Sequence, residues 1–179
     1  MFHPLSELFN FSTGTPVNTP LNTQETICHL KTLLTGPGRL LALDLGTKTI
    51  GISVSDETRL IASPVEGLNR KELKQDIQRI AHWISQWDIQ AMVVGYPIHL
   101  DGTRGEKAIW AEKFYQKLQE TITIPMVLYD ERWTTRVVER MLIEADISRR
   151  RRAHIVDKLS ACYLLQGVLD GLRNGHSGC

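Results

Sequence analysis

The sequence predicts an α/β domain in which helices cover both faces of a five-stranded mixed β-sheet. The first strand-like segments follow one another without a helix between them, whereas the later ones alternate with helical segments. The chain has 179 residues, which is enough for one domain with its own core. The predicted order of elements is β-β-β-α-β-α-β-α-α.

The first two strands form a hairpin in the segment LLALDLGTKTIGISVSD, residues 40–56. Residues 40–43 are a continuous apolar run, typical of a strand buried on both faces. Gly46 and Thr47 supply a turn, and the second strand alternates large apolar residues with Gly and Ser, which predicts a half-buried strand. Asp44 interrupts the first run. An ionised carboxylate there is costly unless a cation pairs with it, although Asp44 could equally serve as a cap of the turn.

Three further strands are predicted along the chain. Residues 59–65 are compatible with a third strand, which Pro64 ends or places at an edge. Residues 91–96 and 124–129 are continuous apolar runs, typical of buried parallel strands. Between them, residues 97–105 contain two glycines and mixed charges, which predict a mobile loop.

Helical spacing of apolar residues predicts four helices in the second part of the chain. The first covers residues 71–87, and the second covers residues 107–120. The third begins at Thr134 or Thr135. The last runs from about residue 155 to residue 172, after a basic link at residues 148–152.

Outside this pattern, residues 1–38 predict an N-terminal extension that is partly disordered. It contains one short helix at residues 22–34, with Asn22 as its N-cap. Residues 39–172 form the predicted domain, and residues 173–179 form a C-terminal tail.

The composition is that of an ordinary globular protein, with 42% hydrophobic residues, 23% charged residues and a net charge of +1. The net charge of the chain is therefore no evidence for a nucleic-acid partner, and evidence for one must come from local clusters of basic residues. The three cysteines lack paired spacing, which argues against a disulfide framework or a zinc site and favours a reducing cytoplasm. We expect no signal peptide and no membrane span.

Three acidic residues are the candidates for chemistry. Asp44 ends the first strand, Glu131 follows the last strand directly after Asp130, and Asp157 lies at the start of the last helix. Ligands of open α/β sheets gather beyond the carboxyl ends of the strands, where these residues should converge. Converging carboxylates suit two divalent ions acting on a phosphodiester, and Mg²⁺ prefers such oxygen ligands. The alternative for each acid is a helix cap or a surface ion pair.

Four ordered segments resemble the YqgF/RuvX family: ALDLGTKTIGISVSD, VVGYPIHLDGT, VLYDERWTT and SRRRRAHIVDKLSA. The resemblance covers about residues 39–172 and implies a RuvC-like protein with a ribonuclease H-like fold. It implies a hydrolase, a nuclease that uses Mg²⁺ or Mn²⁺ (two ions) and has its catalytic and metal-binding acids at Asp44, Glu131 and Asp157.

The family is described both as Holliday-junction resolvases and as nucleases for the 5′ end of pre-16S rRNA. The resemblance favours rRNA processing in ribosome biogenesis, with ribosomal particles as further partners and branched DNA as the alternative substrate. This sequence has Tyr96 and Trp133 where the family usually has leucine, and Ser160 where it often has alanine. Nothing in the sequence decides between a monomer and a homodimer.

Cations lie beside the acids in sequence and could hold phosphates next to the metal ions. The alternative is a solvated charged loop whose cations pair with those same acids. The candidate nucleic-acid-binding residues are Lys48, Arg132, Arg149, Arg150, Arg151, Arg152 and Lys158.

Four other residues have an ordinary explanation beside a functional one. His99 and His154 could move protons, but a single histidine is more often a surface or packing residue. Trp110 and Trp133 fall outside the main apolar stripes and could stack on bases.

Two other functions are compatible with parts of the sequence. DLGTKTIG also resembles the phosphate loop of actin-like ATPases and sugar kinases, but 179 residues leave no room for their second lobe. A non-catalytic binder of nucleic acid or ribosomes could keep the same fold, although the presence of all three acids argues against it.

Overall fold

The computed structural model describes residues 23–65, 67–99, 101–131 and 149–174, and at residues 149–155 and 157 it describes the backbone alone. Within this part of the chain we number four helices and six strands. The helices are α1 (Thr23–Leu33), α2 (Leu73–Gln86), α3 (Glu106–Thr121) and α4 (Arg149–Asn174). The strands are β1 (Arg39–Leu45), β2 (Thr49–Ser55), β3 (Ala62–Pro64), β4 (Leu68–Asn69), β5 (Ile89–Tyr96) and β6 (Met126–Asp130).

The strands form one mixed sheet in the order β3-β2-β1-β5-β6, and β4 pairs with β2. β1 and β2 are antiparallel, whereas β1, β5 and β6 run parallel to one another. The mixed sheet and its five strands are confirmed, with the two-residue β4 as an addition. Because β1, β5 and β6 are parallel, their carboxyl ends meet at one edge of the sheet.

Helices cover both faces of this sheet, as the sequence predicts. One face carries Leu41, Leu43, Met92 and Val94, which pack against apolar residues of α2 and α3. The opposite face carries Leu40, Ala42, Ala91 and Val93, which pack against apolar residues of α1 and α4. The central strands are buried on both faces, which explains why they are continuous apolar runs.

The small residues of β2 do not face solvent, so the prediction of a half-buried strand is wrong. Ser53 and Ser55 are buried, and the Ser53 hydroxyl donates a hydrogen bond to the carbonyl oxygen of Ala161 in α4 at 2.7 Å. Gly and Ser on this face let α4 lie close to the sheet, because a small side chain leaves room for a helix backbone.

The third predicted strand is shorter than residues 59–65. Arg59 has a φ of 57°, and the Asp56 carboxylate accepts hydrogen bonds from the backbone N–H groups of Leu60 and Ile61, both at 2.8 Å. The N–H of Ile61 and the hydroxyl of Thr58 lower the pKa of Asp56 to about 2. These residues therefore form a turn, and pairing with β2 begins only at Ala62.

The last helix begins at Arg149, not near residue 155. The arginines at 149–152 therefore belong to the helix, and the prediction of a basic link before it is wrong. Asp157 consequently lies in the third turn of α4 instead of at its start. The predicted helix at Thr134 or Thr135 lies outside the described residues, as do residues 1–22 and 175–179.

The short N-terminal helix is confirmed as α1. Its buried face consists of Thr26, Ile27 and Leu30, and the Thr26 hydroxyl donates to the carbonyl oxygen of Leu128 in β6 at 3.4 Å. Cys28, on the same helix, is disulfide-bonded, so the cysteine pattern does not by itself support a reducing compartment. No helix in the described ranges is long and apolar enough to cross a bilayer.

Candidate active site

The face of the sheet below α4 changes from apolar to polar at the carboxyl ends of its parallel strands. Along β1, the alternation that places Leu40 and Ala42 on this face next places Asp44 there. In β5, the same alternation from Ala91 and Val93 places Gly95 on this face. In β6, the alternation from Val127 reaches Glu131, which lies just beyond the strand. Three neighbouring strands therefore bring two acids and a glycine to one end of one face.

Glu131 lies in the interior against Gly95. The residue is 8% exposed, and its Oε2 atom has no hydrogen-bond partner among the described groups. A Cβ atom built on Gly95 would overlap Oε2 of Glu131 and would lie 2.8 Å from its Cδ and 3.1 Å from Cδ1 of Leu164. Glycine at this position is therefore what allows the carboxylate to fold back over β5 below α4.

The electrostatics of Glu131 indicate that Asp44 lies close to it. Burial raises the pKa of Glu131 well above its usual range, and the negative charge of Asp44 raises it further. Lys107, at the start of α3, opposes this effect, whereas Asp130 adds to it. Of the three acids that the sequence predicts to converge, Asp44 and Glu131 are therefore close enough to interact, and the side chain of Asp157 lies outside the described part of the chain.

These carboxylates have the chemistry of a site for a divalent cation. A buried carboxylate oxygen without a donor, next to a second acid, is costly unless a cation neutralises it. Oxygen ligands of this kind suit Mg²⁺ or Mn²⁺. The described side chains contain no group of three metal-ligating residues, and the side chain of Asp157 is not among them.

Arg70 holds the turn that follows Asp44. Its Nη1 donates to the carbonyl oxygens of Gly46 at 3.1 Å and Thr47 at 2.9 Å, and its guanidinium lies 3.7 Å from the centre of the Trp110 ring. The backbone N–H of Arg70 also donates to the carbonyl of Lys48 at 3.0 Å. The role of Arg70 is not predicted by the sequence, since nothing in its local context indicates contact with a turn formed much earlier in the chain.

Tyr96, the last residue of β5, is hydrogen-bonded to α3. Its hydroxyl donates to Oε1 of Glu112 at 2.5 Å, and Arg104 donates to the same oxygen at 3.2 Å. Burial raises the pKa of Tyr96, and the hydrogen bond to Glu112 raises it further. A leucine at this position could not make this hydrogen bond.

The predicted cations are placed unequally. Lys48 and Lys158 are exposed. Lys107 is a further exposed cation, near enough to Glu131 to affect its pKa, that the sequence did not predict. Arg132 lies outside the described residues. The backbone of the four arginines is in the first turn of α4, and their side chains are not described: Arg149, Arg150, Arg151 and Arg152.

Of the candidate histidines and tryptophans, the structure describes the side chains of two and not of the other two. His99 is exposed in the loop, and its Nε2 lies against Gly105. Trp110 packs on Phe114, with ring centres 5.1 Å apart, and the Arg70 guanidinium lies over its ring, so the indole makes two contacts within the protein. His154 and Trp133 have no described side chains.

The strand order and the acids at the carboxyl ends of the parallel strands define a mixed-sheet α/β protein with an acidic site at one edge of the sheet. A sequence model described as RuvX, Holliday junction resolvase, matches residues 38–171. The chain belongs to this family, and the resemblance seen in its four segments is confirmed.

Curated relatives cover most of this chain. Proteins named "Putative pre-16S rRNA nuclease" from Methylocella silvestris and Gluconobacter oxydans are 42% and 44% identical over 135 and 145 residues. These alignments cover 75% and 80% of this chain, and 84% and 91% of the relatives. A protein of the same name from Geobacillus kaustophilus is 42% identical over 75% of this chain and 99% of its own length.

Solved structures with similar folds are more distant. T. thermophilus RuvC in complex with a Holliday junction substrate has a TM-score of 0.46 at 15% identity, covering 70% of this chain and 91% of that chain. The yeast mitochondrial Holliday junction resolvase Ydc2 has a TM-score of 0.48 at 9% identity, covering 82% and 84%. The family assignment rests on the sequence matches alone.

Proposed function

We propose that this chain is a metal-dependent endonuclease that processes the 5′ end of pre-16S rRNA in the cytoplasm during ribosome biogenesis. The observation that carries the proposal is the buried Glu131 carboxylate, which has an oxygen without a donor and a second carboxylate, Asp44, next to it. The pre-16S rRNA nuclease names of relatives at about 40% identity support the choice of substrate.

In this proposal Asp44, Glu131 and Asp157 are the catalytic residues and hold one or two Mg²⁺ or Mn²⁺ ions. Such ions lower the pKa of water and stabilise charge on the oxygen that leaves the phosphorus. The absence of a side chain at Gly95 leaves the space that the buried Glu131 carboxylate occupies. A ligand held in one conformation loses less entropy when it binds an ion.

Phosphates of the substrate are bound by cations around the acids. Lys48 and Lys158 are exposed beside Asp44 and Asp157 in the chain, and each can contact a phosphate without a large rearrangement. The same role is proposed for Arg132 and for the arginines at the start of α4: Arg149, Arg150, Arg151 and Arg152. These contacts fix the position of the backbone and do not read sequence.

The second candidate function is cleavage of branched DNA, which the description of the matching family as Holliday junction resolvase favours. Both substrates present the same phosphodiester to the metal site, so the acids do not discriminate between them. Contacts to the 2′-hydroxyl would distinguish RNA from DNA.

The test offers both substrates to the full-length chain under one set of conditions. A precursor 16S rRNA 5′-leader fragment and a four-way DNA junction are incubated with Mg²⁺ or Mn²⁺, and Asp44→Asn is the matched control. The proposal expects metal-dependent cutting of the leader that the control loses. Preferential cutting of the junction would favour the second function, and equal cutting by Asp44→Asn would contradict the proposed centre.

A further inference from the structure

Two side-chain atoms in the described ranges are buried and have no hydrogen-bond partner: Oε2 of Glu131 and Oγ of Ser160. Glu131 belongs to the acidic site, whereas Ser160 lies on α4 and is fully buried. Nearly all buried hydroxyl groups in proteins are hydrogen-bonded, because a buried polar group without a partner is costly. An unpaired buried hydroxyl therefore indicates a place where a water molecule, an ion or a ligand binds.

Contacts on either side of Ser160 place it between α4 and the sheet. The carbonyl oxygen of the next residue, Ala161, accepts a hydrogen bond from Ser53 in β2 at 2.7 Å. One turn further along α4, Cδ1 of Leu164 would lie 3.1 Å from a Cβ atom built on Gly95 in β5. Since β1 lies between β2 and β5, α4 crosses β1 between these two contacts. Positions 160 and 164 lie on one side of the helix, so the buried hydroxyl faces the same interface as the acids.

The buried side of α4 changes from apolar to polar toward the N-terminus of the helix. Leu164 and Leu165 pack against the apolar part of the strands. Ser160 comes one turn before Leu164, and Asp157 occupies the helical position three residues earlier. The sheet also becomes polar where Leu164 lies against Gly95. The polar end of the helix therefore lies over the polar end of the sheet, and Ser160 lies beside the acidic site.

We propose that the Ser160 hydroxyl belongs to the acidic site and hydrogen-bonds a water molecule in the hydration shell of a divalent cation held by Asp44 and Glu131. This inference rests on the proposed function and adds a positioning residue to that site. Mg²⁺ keeps several water molecules when it binds to carboxylates, and a hydroxyl can accept hydrogen bonds from them. A neutral group suits this place, because it adds no charge to two acids that already repel each other.

The proposal separates the role of Ser160 from that of a structural serine. Ser53 is also fully buried at this interface, but its hydroxyl already has a protein partner, the carbonyl oxygen of Ala161. Loss of the Ser53 hydroxyl should therefore affect folding and not cation binding. Loss of the Ser160 hydroxyl should affect cation binding and not the folding of the metal-free chain, which makes Ser53→Ala the matched control for Ser160→Ala.

The test measures cation affinity and stability without any cleavage. Mn²⁺ is titrated by calorimetry into the full-length wild type, Ser160→Ala, Ser53→Ala and Asp44→Asn. Urea denaturation in EDTA gives the stability of the same four proteins without metal and checks that each variant folds.

We expect Ser160→Ala to bind Mn²⁺ about 10-fold more weakly than the wild type, the lower end of the effect of removing a group that holds a metal's ligands. Its urea midpoint in EDTA should be unchanged or higher, since the hydroxyl has no partner in the metal-free chain. Ser53→Ala should have a lower urea midpoint and an unchanged affinity for Mn²⁺.

Wild-type affinity for Mn²⁺ in Ser160→Ala would overturn the inference, as would a fall in its urea midpoint equal to that of Ser53→Ala. If either occurred while Asp44→Asn lost Mn²⁺ binding, the proposed acidic centre would still stand. If the wild type bound no Mn²⁺, or Asp44→Asn bound it as tightly as the wild type, the acidic centre itself would be contradicted, and the role of Ser160 with it.

Discussion

Gly95→Ala should damage the acidic site by displacing one carboxylate. A methyl group at this position would overlap Oε2 of Glu131 and come within 2.8 Å of its Cδ, so the side chain must move. The same methyl group would also lie 3.1 Å from Cδ1 of Leu164 in α4, so that side would be tight as well. The carboxylate should therefore swing toward solvent and away from Asp44.

The magnitude follows from the packing. Forcing an extra methyl group into a filled interior costs about 1–3 kcal/mol of unfolding free energy. Loss of one carboxylate ligand should weaken Mn²⁺ binding by at least a factor of about 10, which corresponds to ~1.4 kcal/mol. The hydrated carboxylate should also regain a pKa closer to its usual range, since burial is the main cause of the shift.

Urea denaturation and Mn²⁺ titration calorimetry measure the two effects separately. Gly36→Ala is the matched control, because nothing lies within 4 Å of a Cβ at that position. It should change the unfolding free energy by no more than about 0.5 kcal/mol and leave Mn²⁺ affinity unaltered. If Gly95→Ala bound Mn²⁺ as tightly as the wild type, the assignment of Glu131 as a ligand held by Gly95 would be refuted.

Three further predictions concern the same region. The raised pKa of Glu131 means that its ionised form is unfavourable in the folded state. Without metal, the unfolding free energy should therefore fall as pH rises above the usual glutamate range. Urea denaturation at several pH values should show this fall in the wild type and not in Glu131→Gln. Ser160→Ala should leave the thermal stability unchanged or raise it, since the buried Ser160 hydroxyl has no described hydrogen-bond partner. Ser53→Ala should lower the unfolding free energy by about 1 kcal/mol, since it removes the hydrogen bond to Ala161. Arg70→Ala should lower the unfolding free energy by about 2 kcal/mol. Arg70→Lys should recover only part of this stability, because lysine cannot both bridge two carbonyl oxygens and stack on Trp110.

The sheet could be predicted because its strands carry their own periodicity. The runs at residues 40–43 and 91–96 are buried on both faces, and their apolar content shows this directly. The burial of Ser53 could not be predicted, because it depends on a contact with Ala161 in α4, which lies 108 residues later in the chain. Small polar residues that face a helix have the same pattern as small polar residues that face water.

The candidate site could be predicted in part for a similar reason. Asp44 lies near the end of β1 and Glu131 directly after β6, and the carboxyl ends of these parallel strands meet at one edge, so their proximity follows from topology. Gly95 carries no local signal, since its role is to leave space for a side chain on another strand. The early start of α4 was missed because arginines in a run are equally compatible with a loop and with a first helical turn.

The most direct test of the acidic centre is the single-turnover rate of leader-RNA cleavage by the wild type and by Glu131→Gln, with RNA affinity measured in parallel. The substitution keeps the shape of the side chain and removes its charge. We predict that Glu131→Gln binds the RNA as tightly as the wild type but cuts it at least ~100-fold more slowly in Mg²⁺, as expected when a group that stabilises the transition state is lost. Equal cleavage rates for the two proteins would contradict a hydrolytic centre built on Asp44 and Glu131.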